Sequence, residues 1–432
     1  MALPNNALQQ VQTYHESGLA LLLNSFCGIN LANKKFQNFQ DKVANLGDTV
    51  GFDLQPRYNV QNTLVVSFQD SVQRVQPLTC SQQANVSYAF NVQQFIFNVR
   101  EYMDKFGKSA ILRLGSQIET DILKCITNGV VNSTSNVLVP NNGPYRFYGD
   151  GITPINSFTQ LQQALSNFRD LGTAPDNTIG ILPMVNIPAI VGSGLNQFAT
   201  DRNNDLAMSW MLGEYAGCKW NQSNLLPVHI AGTVGEDQQV LTVVSTNDPT
   251  GVNITQITFS GATVNDADAV KTGDMFQFQD GVSGLDNLRF LNFTAYNVTA
   301  QPVQFIATAD AGANGSGNVT VSLRTATNIG LVSANNQNRN LNVAIQAGQQ
   351  VKALPSHRAG VIWSGNPFFL AMPALPEEVP FPTANKIDPD SGASIRNYYG
   401  SLFGQNQRGY VNDAIWGSIL VPEYSFKLVF PL

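Results

Sequence analysis

Three histidines, four cysteines and scattered carboxylates are the side chains of this 432-residue chain whose types could do covalent or metal chemistry. A hydrolytic nucleophile needs a base within reach. His15, His229 and His357 each stand alone in their stretch of sequence, none at a metal-ligand spacing, so each reads as a core or surface histidine. Cys27, Cys80, Cys125 and Cys218 are far apart with no C-x-x-C pair. That argues against zinc and leaves three disulfide pairings undecided, beside the simpler reading of four buried free thiols. Asp266 and Asp268 could open a calcium loop, but Val270 and Lys271 follow where ligands and a turn glycine would be needed, so a solvated acidic loop is expected. Asp388 and Asp390 flank Pro389 as turn residues. The glycine-rich stretch 312–317 lies between two β-type runs rather than between a strand and a helix, and reads as a turn, not a phosphate cradle. No nucleophile elbow, Walker A loop, H-E-x-x-H or dinucleotide fingerprint occurs. No catalytic, cofactor-binding or metal-ligating residue is assigned, no cofactor is expected, and the chain is read as a non-enzyme.

With chemistry set aside, surface composition carries the argument. Hydrophobic residues make up 43% of the chain and charged residues only 12%, about half the roughly 25% of an average soluble protein. Neutral amides and hydroxyls supply the polarity, and such surfaces repel one another weakly, which favours an assembly subunit. A net charge of −6 and the lack of any basic run argue against gripping nucleic acid by counterion release. The early apolar run 18–23 is too short to span a membrane and follows no basic segment, so neither a signal peptide nor a transmembrane helix is read. Eight N-x-S/T sequons begin at Asn85, Asn132, Asn221, Asn253, Asn292, Asn297, Asn314 and Asn318; an Asn- and Thr-rich chain generates these by chance.

The elements follow from periodicity. Ala7, Leu8, Val11, Tyr14, Leu19, Leu22 and Phe26 recur at helical steps, giving an amphipathic N-terminal helix that lies either on a neighbouring subunit or on its own core. From Gly47 the period becomes two: runs at Val50–Leu54, Leu64–Phe68 and Val86–Phe90 predict an extended β-hairpin over 46–91 with a long polar tip. Apolar residues from Val99 to Cys125 form one helical stripe, a 27-residue spine about 40 Å long. Gly107 and Gly115 are its weak points or close-packing sites. A short helix at 158–168 behind an Asn156 or Ser157 cap, a stop at Gly172, a strand at 178–182 and a helix starting near Asn186 make an α/β lobe.

From His229 to about Gln350 only short β-type runs occur, at 240–244, 257–259, 275–278, 303–307 and 319–323. This stretch holds nine acidic and four basic residues, leaving 20 basic against 21 acidic elsewhere. Its distinct composition between mixed flanks predicts an inserted all-β domain. Strands at 395–399, 414–420 and 424–430 close the chain. The expected organisation is an arm at 1–45, a hairpin at 46–91, a spine and peripheral domain at 92–134, an axial α/β domain at 135–228, an insertion at 229–350 and return strands at 351–432.

This order resembles the major capsid proteins of tailed double-stranded DNA bacteriophages, an α+β architecture of the Hong Kong 97-type fold, and especially short-tailed-phage coat proteins with an inserted β-barrel. Residues 42–60, KVANLGDTVGFDLQPRYNV, look like that family's approach to its extended loop, and residues 110–125, AILRLGSQIETDILKC, are similar to its spine helix. Gly213, Gly217, Trp220, Ser223, Asn224, Leu225, Leu226 and Pro227 resemble a pattern closing a strand of the axial lobe. Lys271, Thr272, Gly273, Asp274, Met275 and Phe276 are like a strand of the inserted barrel.

The resemblance implies a homo-oligomer whose pentamers and hexamers close an icosahedral shell around double-stranded DNA that is confined rather than read. It also implies a separate scaffolding protein, a portal, no membrane, assembly in the host cytoplasm and residence in the virion. No Lys and Asn pair committed to cross-linking is identified. Two other readings stay open: a non-viral, encapsulin-like compartment shell, and a secreted β-rich binding protein. If the N-terminal segment has no internal partner, deleting residues 1–26 should leave a soluble subunit that no longer assembles.

Overall fold

The computed structural model describes residues 16, 18–22, 26–34, 49–54, 56–60, 64, 68–70, 73–91, 106–127, 129–131, 138–140, 143–172, 177–194, 213–324, 330–334, 336–377, 381, 383–385, 392–401 and 407–432. His15, Asn132, Asp388, Asp390, residues 42–48 and the expected start of the spine at 99–105 lie outside them.

Strand His357–Trp363 sits in the middle of a seven-stranded sheet, pairing antiparallel with Ser425–Pro431 on one side and Thr178–Pro183 on the other. Thr178–Pro183 in turn runs parallel to Cys218–Ser223. Alternate side chains of a strand face opposite ways, and both faces are used. Leu182 and Ile362 join a core with helix Phe158–Asp170 and helix Ile187–Gly194, while Ile181, Val361 and Trp363 join a second core on the long helix Lys108–Leu123. Helix Phe158–Asp170 starts where its apolar period starts, with the Ser157 hydroxyl accepting from the Gln160 amide at 3.3 Å. It stops at Gly172, whose φ of +87° strains any residue with a Cβ.

The β-rich stretch forms a closed barrel ordered Val240–Thr246, Gln256–Ser260, Asn318–Arg324, Gln304–Ala307, Met275–Phe278 and Gln350–Ala353. Phe259, Phe276 and Phe305 stack at its centre, with ring centroids 5.0 to 6.3 Å apart. The barrel is not an isolated ball. Its aromatic core runs without a break into the α/β core, and buried Gln304 accepts the Phe147 amide at 2.8 Å while its side-chain amide and that of Gln301 donate to the Phe147 carbonyl. Unpartnered, those backbone groups of the sheet edge would be expensive to bury.

A second sheet carries Phe368–Ala371, Gln407–Leu420, Arg396–Ser401 and Thr383–Ala384. Here the hairpin expectation is corrected. Strand Thr49–Leu54 pairs with Arg74–Thr79, a run the periodicity did not pick out, and Gln82–Asn91 leaves the hairpin to pair with Gln407–Leu420 along its whole length. The sequence hid the true partner because the inward positions of Arg74–Thr79 are Arg74, Gln76 and Leu78. Two buried polar residues erase the apolar alternation.

The N-terminal segment also has an internal partner. Leu19, Leu22, Ile29 and Ala32 are buried with Leu114, Ile118 and Ile122 of the long helix. Gly115 makes the approach possible: a Cβ there would meet the Phe26 ring at 2.3 Å and Leu22 at 2.7 Å. Where Glu119 faces the short helix Cys27–Leu31, its carboxylate accepts the amides of Gly28 at 2.7 Å and Ile29 at 2.9 Å. The premise of an unpartnered arm therefore fails for residues 18–32.

Candidate functional site

The hairpin presents the most exposed apolar side chains among the described residues. Val60, Leu64 and Phe68 are 90%, 105% and 99% exposed, with Tyr58 half out. Exposed apolar side chains gathered in one stretch, rather than scattered singly, mark an interaction surface.

The foot of the hairpin is held rigidly. Arg57, just past its first strand, and Arg74, the first residue of its second, share one carboxylate, that of Glu423 in the turn Pro422–Tyr424. Arg57 Nη2 lies 3.1 Å from Oε2, and Arg74 reaches both carboxylate oxygens. Burial pushes the Glu423 carboxyl up, but the two guanidiniums outweigh it and hold it below the ordinary range. Arg146 is fully buried beside them, donating from Nη2 to the Glu423 carbonyl at 2.6 Å. The Phe293 ring, from the loop between barrel-side strands Arg289–Leu291 and Val298–Pro302, lies under both Arg57 and Arg146, 4.3 and 4.7 Å from its centroid. Hairpin, central sheet and barrel side thus meet at one charged knot.

A second buried polar group lies where the barrel joins the central sheet. His229 and His357, separate in sequence, stand 5.4 Å apart ring to ring, which corrects the view of each as isolated. His229 Nε2 is 2.7 Å from Asp274 Oδ1, and the same carboxylate accepts the amides of Gly232 and Lys271. Burial, then the charge of Lys427, holds His357 well below its ordinary value. Burial brings the Lys427 amine down to about 7, with Asp274 opposing. No group of three or more metal-ligating side chains occurs among the described residues, and these four hold the joint between two units.

The remaining sequence candidates fall into ordinary roles. Cys80, Cys125 and Cys218 are buried and Cys27 half-buried, all as free thiols. Burial pushes the Cys27 thiol up to about 12, helped by Glu119, and pushes Cys125 and Cys218 up as well. Asp266 Oδ1 accepts the Asp268 amide within its own loop. The shared Glu423 and the His–Asp–Lys joint were not legible in the sequence, because their members lie up to 366 residues apart and no short spacing marks them.

No family model matches the chain, and no curated protein matches it. Solved structures do resemble it. A structure of Mycobacterium phage Che8 is 8% identical, with 94% of this chain and 91% of that one covered at a TM-score of 0.45. The capsid of Ralstonia phage GP4 is 9% identical, with 94% and 88% covered at 0.42. A virus-like particle from Pyrococcus furiosus is 7% identical, with 96% and 99% covered at 0.34.

Proposed function

We propose that the chain is the major capsid protein of a tailed double-stranded DNA bacteriophage, with a Hong Kong 97-type fold and an inserted β-barrel. In this reading its copies form pentamers and hexamers that close an icosahedral head. The observation that carries it is the hairpin, with Val60, Leu64 and Phe68 fully in water and a foot held by a buried ion cluster. Such an arm is built to lie on a neighbouring copy. Covering Val60, Leu64 and Phe68 there would contribute roughly 5–8 kcal/mol per hairpin, multiplied over every subunit of a shell. The low charge of the chain lets many such contacts form without self-repulsion.

DNA would be enclosed rather than gripped, since no basic surface is available for it, and a scaffolding protein and portal would take part in assembly. The barrel would project from the joint it shares with the axial lobe. Electron microscopy of material pelleted from cells expressing the chain, alone and with an adjacent scaffold-like protein, tests the reading. Closed shells tens of nanometres across are expected. A stable monomer under both conditions overturns it.

A further inference from the structure

The knot at the hairpin foot is out of electrostatic balance. Arg57, Arg74 and Arg146 bring three guanidiniums to one carboxylate, and none of these four side chains is more than 9% exposed. Glu423 is committed to Arg57 and Arg74. Arg146 reaches only main-chain carbonyls, those of Pro422 and Glu423, and its Nε and Nη1 are buried without a hydrogen-bond partner. The Tyr145 hydroxyl is also buried and unpartnered, and the Arg146 guanidinium lies 5.2 Å from the centroid of its ring. A guanidinium does not shed its proton at ordinary pH, and a buried cation without an anion is among the costliest groups a fold can hold.

We propose that Arg146, Tyr145 and Arg57 form an oxyanion-binding site that takes one carboxylate or phosphate group. Its oxygens would accept from Arg146 Nε and from the Tyr145 hydroxyl, with the Arg57 guanidinium adding its charge. Phe293, under both guanidiniums, fixes their positions. A charged N–H and a phenol O–H are two separate donors, so an anion with more than one acceptor oxygen suits the site better than a halide does. The inference stands independently of the capsid reading.

Two sources supply this chemistry, free phosphate and an acidic side chain, and one experiment separates them. The unfolding midpoint of the full chain is followed against inorganic phosphate, acetate and chloride at fixed ionic strength. A saturable rise with phosphate well above acetate identifies phosphate, whereas a rise with acetate at least equal to it identifies a carboxylate. In Arg57→Met, which leaves Glu423 held by Arg74, the half-saturating concentration should rise at least tenfold, and likewise in Arg146→Met. Lys124→Met, whose partner Asp121 lies on the long helix Lys108–Leu123, should respond like the parent. An equal rise in chloride, no rise in any salt, or parent-like responses in both knot variants overturns the proposal.

Discussion

Replacing Glu423 by Gln keeps the volume of the side chain and removes the single charge on which the hairpin foot depends. Arg57 and Arg74 would then be nearly buried with no carboxylate, beside a fully buried Arg146. Removing one partner of a buried pair costs about 3–5 kcal/mol. Arg57 regains water when the hairpin lifts, so the lower part of that range applies. At ~1.4 kcal/mol per tenfold, the lifted state should become roughly a hundredfold more populated. Hydrogen exchange read by mass spectrometry on peptides covering Thr49–Leu54 and Arg74–Thr79 measures this directly, because both strands lose their ladder when the foot opens. Strand His357–Trp363 should keep its protection. A change below threefold in the hairpin strands would refute the reasoning. The sign with pH is also fixed: the Glu423 carboxyl is held low in the folded chain, so its contribution is complete above the ordinary carboxylate value and fades only as pH falls through the lower, folded one.

Lys427 carries the opposite chemistry: its amine is brought from 10.5 to about 7, so the unfolded chain binds the extra proton between those values. Stability should therefore climb from pH 7 toward 10.5 with a slope approaching ~1.4 kcal/mol per pH unit, and Lys427→Met should flatten it in pH-dependent denaturant unfolding. Gly115→Ala forces a methyl into the Phe26 ring and should cost about 1–3 kcal/mol in the same measurement. Deleting residues 1–26 removes buried Leu19 and Leu22, so thermal unfolding should show a less stable subunit rather than one altered only in assembly. Leu64→Ser with Phe68→Ser should leave thermal unfolding unchanged and abolish pelletable assemblies; normal assembly by that variant would count against the hairpin's role.

Periodicity made the buried stripes legible and nothing else. Helix Phe158–Asp170 and strands such as Asn318–Arg324 could be read because one face is apolar at a fixed step. Arg74–Thr79 could not, since its inward residues are an arginine that meets Glu423, a glutamine and only one apolar residue, Leu78. Glu119 could be singled out within its motif, yet its task of holding the Gly28 and Ile29 amides depends on a contact 90 residues away. The knot and the histidine joint were invisible for the same reason. Long-range polar contacts have no period, and only the folded chain brings their members together.

The pairing of Gln82–Asn91 with Gln407–Leu420 sets a timetable for the nascent chain. The earlier strand leaves the ribosome more than 300 residues before its mate, a delay of about 15–65 s at ordinary translation rates. All six strands of the closed barrel lie between Val240 and Ala353, so that unit can complete its hydrogen bonding well before synthesis ends. Meanwhile the early strand offers a bare edge of the kind that recruits other chains. Speed of synthesis, and any chaperone that shields that edge, should therefore govern the yield of usable subunits more than the barrel's own folding does.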